Sequence, residues 1–286
     1  MKAVWLQREI YDATIYSLNG VSAHGTLTRC GVVSERDNGR TEELTSNAVA
    51  ALNADDFEAA ALGFEAAFEA GDPDGAYYLG RMLELGLGGV PDLEAAIGPY
   101  IVASERGSAA AMNRLGLLHL QGQGVLQDYQ TGAELICDAA DLGDMNGTFN
   151  CARLILQGLG VSQDRDAALA MFEAAAGFGH IEAKIVLADA LISGSFGVTD
   201  VERAVTLVEE TVALGVPAGL FMLAELHLTG KGVARDPVVA HQFFNLAASL
   251  GHPAAPQARA AVEANLTAEQ VSRAQERARN WTPAGE

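Results

Sequence analysis

The chain has 286 residues with 37 acidic and 18 basic side chains, giving a formal net charge of -19 and an isoelectric point near 4.6. That charge opposes docking on nucleic acid or on an anionic membrane face and favours a partner with a basic surface. No apolar run approaches the roughly 18 residues of a membrane-spanning helix, and three cysteines are too few for a disulfide framework.

Taken in chain order, residues 1–40 fit no periodic pattern and form an N-terminal segment whose structure the sequence does not specify. Arg8, Glu9 and Asp12 stand where a signal peptide needs an apolar stretch. A cytoplasmic location is therefore expected, with periplasm or exterior as the alternative if the start lies elsewhere.

Residues 41–281 behave differently. Five loops, LGLGGVPD, LQGQGVLQD, LQGLGVSQD, ISGSFGVTD and HLTGKGVARD, end at Asp92, Asp128, Asp164, Asp200 and Asp236, at a constant spacing of 36 residues. The first loop glycine keeps the same register at Gly86, Gly122, Gly158, Gly194 and Gly230, and a second glycine class falls at Gly71, Gly107, Gly143, Gly179, Gly215 and Gly251. A fixed period in this range marks a solenoid of stacked units. The boundaries are a partial repeat at about 41–73, full repeats at 74–107, 108–143, 144–179, 180–215 and 216–251, and a C-terminal cap at 252–281 in which Thr267 and Gln270 suit a capping box.

Residues 144–179 illustrate the unit. Cys151, Leu154 and Ile155 recur at helical spacing up to the stop at Gly158, where a left-handed residue closes the helix. Asp164 suits the N-cap of a second helix, since its carboxylate accepts a free first-turn N–H. That helix carries Ala168, Met171, Phe172, Ala175 and Ala176 on one stripe and stops at Gly179. Val161 is expected to plug the loop into the core. Cys137 and Cys151 flank the Gly143 turn so that they face each other in an antiparallel pair; in a reducing cytosol they read as two buried thiols.

The pattern carried by Ala111, Leu115, Gly116, Gly122, Gly124, Val125, Asp128, Ala139, Ala140 and Gly143 resembles the SEL-one-like repeat, a relative of the tetratricopeptide repeat with a longer loop. The resemblance implies an all-α right-handed superhelix of about five full helix-loop-helix repeats, a partial N-terminal repeat and a C-terminal capping helix. It implies a non-catalytic protein-interaction scaffold or adaptor in bacterial regulation or signalling, without cofactor or metal, binding a peptide or partner helix on its concave face. In related arrays the residues two before and two after the helix leucine point into that face. Carried over, these are Tyr77, Asn113, Phe149, Ile185 and Phe221, beside Arg81, Leu117, Arg153, Asp189 and Glu225. Aromatics interleaved with arginine are typical interface anchors.

Other chemistry is weaker. A phosphate loop at Lys231 lacks the hydroxyl residue after the lysine and a preceding strand, and its counterparts are Gln123, Leu159 and Ser195. His119 and His227, and likewise His180 and His252, are equivalent positions held whole repeats apart, too far to share an ion. No nucleophile-elbow, Ser-x-x-Lys or His-Glu-x-x-His motif occurs. The alternative is a β-lactam-binding or hydrolysing enzyme like the cysteine-rich branch of the family, and this chain lacks that branch's paired cysteines in each repeat.

Overall fold

The computed structural model describes the backbone of residues 35–284 and side chains from residue 41 onward. Most of the segment assigned to 1–40, with Cys30, lies outside these residues. The described residues form helices with no strand: α1 (Glu35–Asn53), α2 (Phe57–Glu69), α3 (Pro73–Leu85), α4 (Leu93–Glu105), α5 (Ala109–Gln121), α6 (Tyr129–Asp141), α7 (Met145–Gln157), α8 (Arg165–Gly177), α9 (Ile181–Ser193), α10 (Val201–Ala213), α11 (Pro217–Thr229), α12 (Pro237–Ser249), α13 (Ala255–Glu263) and α14 (Ala268–Arg279). They fall into two compact units, Met1–Gly147 with Leu159–Val161, and Thr148–Gly158 with Ser162–Glu286.

The loop aspartates explain why the helices begin where they do. Asp56, Asp92, Asp128, Asp164, Asp200 and Asp236 are all N-caps whose carboxylates accept from first-turn amides, as from Ala95 at 2.9 Å and Val238 at 2.9 Å. The same residue also closes the loop through its backbone. The N–H of Asp92 donates to Leu83 O (2.8 Å), Asp128 to His119 O (3.0 Å), Asp164 to Ile155 O (3.2 Å), Asp200 to Leu191 O (3.2 Å) and Asp236 to His227 O (2.9 Å). Gly86, Gly122, Gly194 and Gly230 are left-handed C-caps at φ 66–77°. The chain thus turns back at a glycine and is fastened at an aspartate.

In the first unit, α1 packs on α2, and Phe64, Ala60, Ala48 and Leu52 form a core between them. The repeat read as partial therefore has a helix before its second one. Glycine at two first-helix positions lets the paired helix approach: a Cβ on Gly80 would lie 2.6 Å from the Tyr100 ring, and one on Gly116 2.6 Å from Ile136. Tyr100 and Ile136 are fully buried in consequence.

In the second unit, Ala188 and Ala224 stand at the corresponding places, both at 0% exposure, so the spacing there accommodates a methyl group. One continuous core joins Phe149, Phe172, Leu187, Val208 and Leu220 with Ala168, Ala175 and Ala204. Each large side chain buried in this way is worth about 1.5–3 kcal/mol. The C-terminal end is closed by α13 and α14, which pack on α12 and bury Val262 and Ala274. Thr267 and Gln270 form the expected capping box.

Val161, expected to plug its loop into the core, is half-buried. The equivalent valine packs against the core at Val125 and Val233, and in the first and fourth loops, where it falls one place later, it faces water, with Val90 at 85% and Val198 at 52% exposure. These two loops instead contain an extra turn, Gly89 N–H to Gly86 O (3.4 Å) and Gly197 N–H to Gly194 O (2.9 Å). Cys137 and Cys151, expected as separate thiols, are both disulfide-bonded; the premise of a reducing compartment, not the spacing, had favoured free thiols.

Candidate functional site

The ten residues expected on the inner face lie on first helices of successive repeats, and the two rows differ in environment. In the first unit, Tyr77 is half-buried with its ring centroid 5.3 Å from Tyr78 and 6.0 Å from Tyr100. Asn113 is buried and Leu117 half-buried. Arg81 is only 7% exposed because it belongs to an interior polar cluster.

Glu84 is the centre of that cluster. Its carboxylate accepts from Arg81 Nη1 (2.9 Å), the Tyr100 hydroxyl (2.5 Å) and Arg114 Nε (3.1 Å), and Arg114 Nη2 closes a second contact on the other oxygen. Burial by itself would push the Glu84 carboxyl up. The hydrogen bonds from Tyr100 and Arg114, with the charges of both arginines, outweigh it and hold the pKa below the ordinary carboxylate value. Burial and the anionic neighbour push the Tyr100 hydroxyl up.

In the second unit the aromatic row is packed. Phe149 stacks on His180 at 4.6 Å and meets Phe172 edge-on at 5.7 Å. Phe221 stacks on His252 at 4.2 Å and meets Phe244 edge-on at 5.2 Å. Ile185 is half-buried between these repeats in sequence. The charged row reaches solvent: Arg153, Asp189 and Glu225 are all exposed, and the Arg153 guanidinium sits 5.8 Å from the centroid of Phe149. Partial burial, and next the charge of Asp189, push the Glu225 carboxyl up.

His180 and His252 are the residues that sequence reasoning noticed without assigning. Each follows a repeat-ending glycine and supplies the flat partner for the phenylalanine of the preceding repeat; that shared register was the available signal. His180 also caps α9 by accepting from the Ala183 N–H. Burial holds the His252 imidazole below its usual pKa. The other equivalent pair fastens loops, with Nδ1 of His119 3.1 Å from Leu126 O and that of His227 3.0 Å from Ala234 O. His241 is fully buried, its Nε2 3.2 Å from Glu263.

Among the described residues no group of three or more His, Cys, Asp or Glu side chains is gathered as a metal would need, and no helix is long and apolar enough to cross a membrane. Lys231 is exposed between two left-handed glycines, in a loop that joins two helices.

Comparison with known proteins agrees with this geometry. The Sel1 repeat model matches residues 73–108, 109–144, 147–177 and 217–252; the stretch holding the loop ISGSFGVTD is not among them. A protective antigen of uropathogenic Escherichia coli with an SLR fold superposes with a TM-score of 0.72 at 25% identity over 85% of this chain and 52% of that one. This chain therefore spans about half the length of the antigen. A Sel1 repeat protein from Oxalobacter formigenes gives a TM-score of 0.62 at 22% identity, over 74% of this chain and 84% of its own. An immunity protein from Pseudomonas aeruginosa gives 0.50 at 16% identity, over 83% and 89%. No curated protein matches the sequence. Sel1 repeat proteins are generally protein-interaction scaffolds, and with four matched repeats in an all-α solenoid this chain belongs to the Sel1-repeat family.

Proposed function

We propose that the protein is a non-catalytic scaffold that docks an extended peptide or a helix of a partner protein on the face of its first helices. The observation that carries this reading is the row Arg153, Asp189 and Glu225. Three charged side chains stand in register on α7, α9 and α11, exposed, while of the residues one turn before them Phe149 and Phe221 are drawn down into ring stacking and Ile185 is half-buried. Specificity then resides in the charged row, and the aromatics hold the helices that present it.

In the first unit the corresponding first-helix positions are held by Tyr77, Asn113 and Leu117. Arg81 acts there through the Glu84 cluster, positioning α3 instead of meeting a partner. The overall charge favours a partner with a basic surface. Disulfide-bonded Cys137 and Cys151 support an oxidising compartment, periplasm or exterior, over the cytosol.

Affinity capture from the source organism tests the reading. The wild-type protein is compared with Arg153→Ala, Asp189→Ala and Glu225→Ala combined, after matching their helicity by circular dichroism. Because all three side chains are exposed, the fold is expected to survive and the principal partner to be lost. Recovery of every partner at wild-type yield from the folded triple variant would overturn the assignment.

A further inference from the structure

The fourth loop departs from the others in a way that leaves space beside it. In the second, third and fifth loops a glycine follows the turn, at Gly124, Gly160 and Gly232, and lies almost on the preceding second helix. A Cβ at Gly124 would fall 2.4 Å from Ile97, one at Gly160 1.9 Å from the Tyr129 carbonyl, and one at Gly232 2.6 Å from Val201. The fourth loop has Phe196 at this register, and its glycine comes one residue later. A Cβ at Gly197 would meet nothing within 4 Å. Phe196 leans on Phe172 with ring centroids 6.2 Å apart, and Val198 is turned to water.

The result is a small cleft of about 80 Å³ between α8, α9, α10 and this loop. Its apolar lining includes Leu169, Leu191, Phe196 and Val198. Its polar side holds Glu173 and Arg203, ion-paired at 2.8 Å and both reaching solvent, together with Asp200. Glu173 meets the Arg203 guanidinium while the Asp200 carboxylate caps α10 through the Arg203 backbone N–H (3.0 Å), so the rim carries two carboxylates to one cation, a net charge of one negative unit. At about 80 Å³ the cleft suits one side chain and not a whole drug-sized ligand, which sites of about 300–1,000 Å³ enclose.

We infer that this cleft is a second binding site, distinct from the first-helix face, which takes an aliphatic anchor side chain of a partner segment with a lysine or arginine next to it. The anchor fills the space between Leu169 and Phe196. The adjacent cation meets the carboxylate excess of Asp200 and Glu173.

A variant that restores the regular loop provides the control: Phe196→Gly with Gly197→Val gives the Gly-Val order that three other loops of this chain fold with. The probe is N-acetyl-Leu-Lys-amide, titrated to millimolar concentration against the full-length protein labelled with 15N. Saturable shifts are expected at Leu169, Leu191, Val198 and Arg203. The restored-loop variant is expected to bind at least tenfold more weakly, and N-acetyl-Leu-Glu-amide at least threefold more weakly to the wild type. Absence of saturable shifts in the wild type, or equal binding by the folded restored-loop variant, overturns the site. Equal binding of the two probes overturns the requirement for a cation. None of these results depends on the first-helix face, which Arg153, Asp189 and Glu225 test separately.

Discussion

Single side chains in this protein have assignable energetic roles, and the aspartate series shows it most simply. Asp236 accepts from the N–H groups of Val238 and Val239, so Asp236→Ala is expected to cost roughly 0.5–2 kcal/mol. A melting experiment should show this as a fall of about 2–4 °C for each kcal/mol; an unchanged midpoint removes the capping role. Glu84 behaves differently because its environment is ionic. Its folded pKa lies below that of the unfolded chain, so the stabilisation is fully present above the ordinary carboxylate value and is lost as pH falls through the depressed folded pKa. Wild type should therefore lose more stability on acidification through that window than Glu84→Gln, whose pH profile should be flatter. A parallel pair of profiles would show that the cluster does not discriminate between the charged and neutral forms. Neither the depth of this cluster nor the burial of Arg81 was legible in the sequence. Arg81 lies on α3, but its environment depends on Glu84, Tyr100 and Arg114, which come from three different helices.

For the helices and loops the periodicity was a faithful guide, since every boundary signal is local. The glycine stop, the aspartate cap and the apolar stripe all act within about ten residues of one another, and a register repeated five times averages out local exceptions. The exceptions themselves were visible as letters only. A shifted valine in LGLGGVPD and ISGSFGVTD could be read, but its exposure and the cleft beside Phe196 depend on how far the loop backbone stands from the preceding helix, a distance that no residue pattern encodes. The disulfide was missed for another reason, as compartment is not a property of the residues. Close approach at the regular loops gives a paired prediction. Gly232→Ala adds a methyl group 2.6 Å from Val201 at φ 71°, whereas Gly251→Ala meets nothing within 4 Å at φ 89°. Both should lose about 1–2 kcal/mol from left-handed strain, and Gly232→Ala a further 1–3 kcal/mol from overpacking. Equal unfolding free energies in urea would mean that the fifth loop relaxes away from α10.

On the scale of the molecule, the net charge of -19 makes the compact state repel itself. Self-repulsion of the compact state is screened by salt, with a screening length of about 30 Å at 0.01 M and about 8 Å at physiological ionic strength. Raising sodium chloride across that range should therefore raise the melting midpoint, and a fall would show that the Glu84 cluster and the surface pairs dominate instead. The aspartates have one more consequence here. Their backbone amides sit in loops, where hydrogen exchange is ordinarily fast, yet each is bonded to a helix carbonyl of the same repeat at 2.8–3.2 Å. Asp92, Asp128, Asp164, Asp200 and Asp236 should accordingly appear as isolated slow exchangers among rapidly labelled neighbours. The order in which they become labelled under native conditions would then report the opening free energy of each repeat in turn, giving a stability profile along the chain at one amide per repeat.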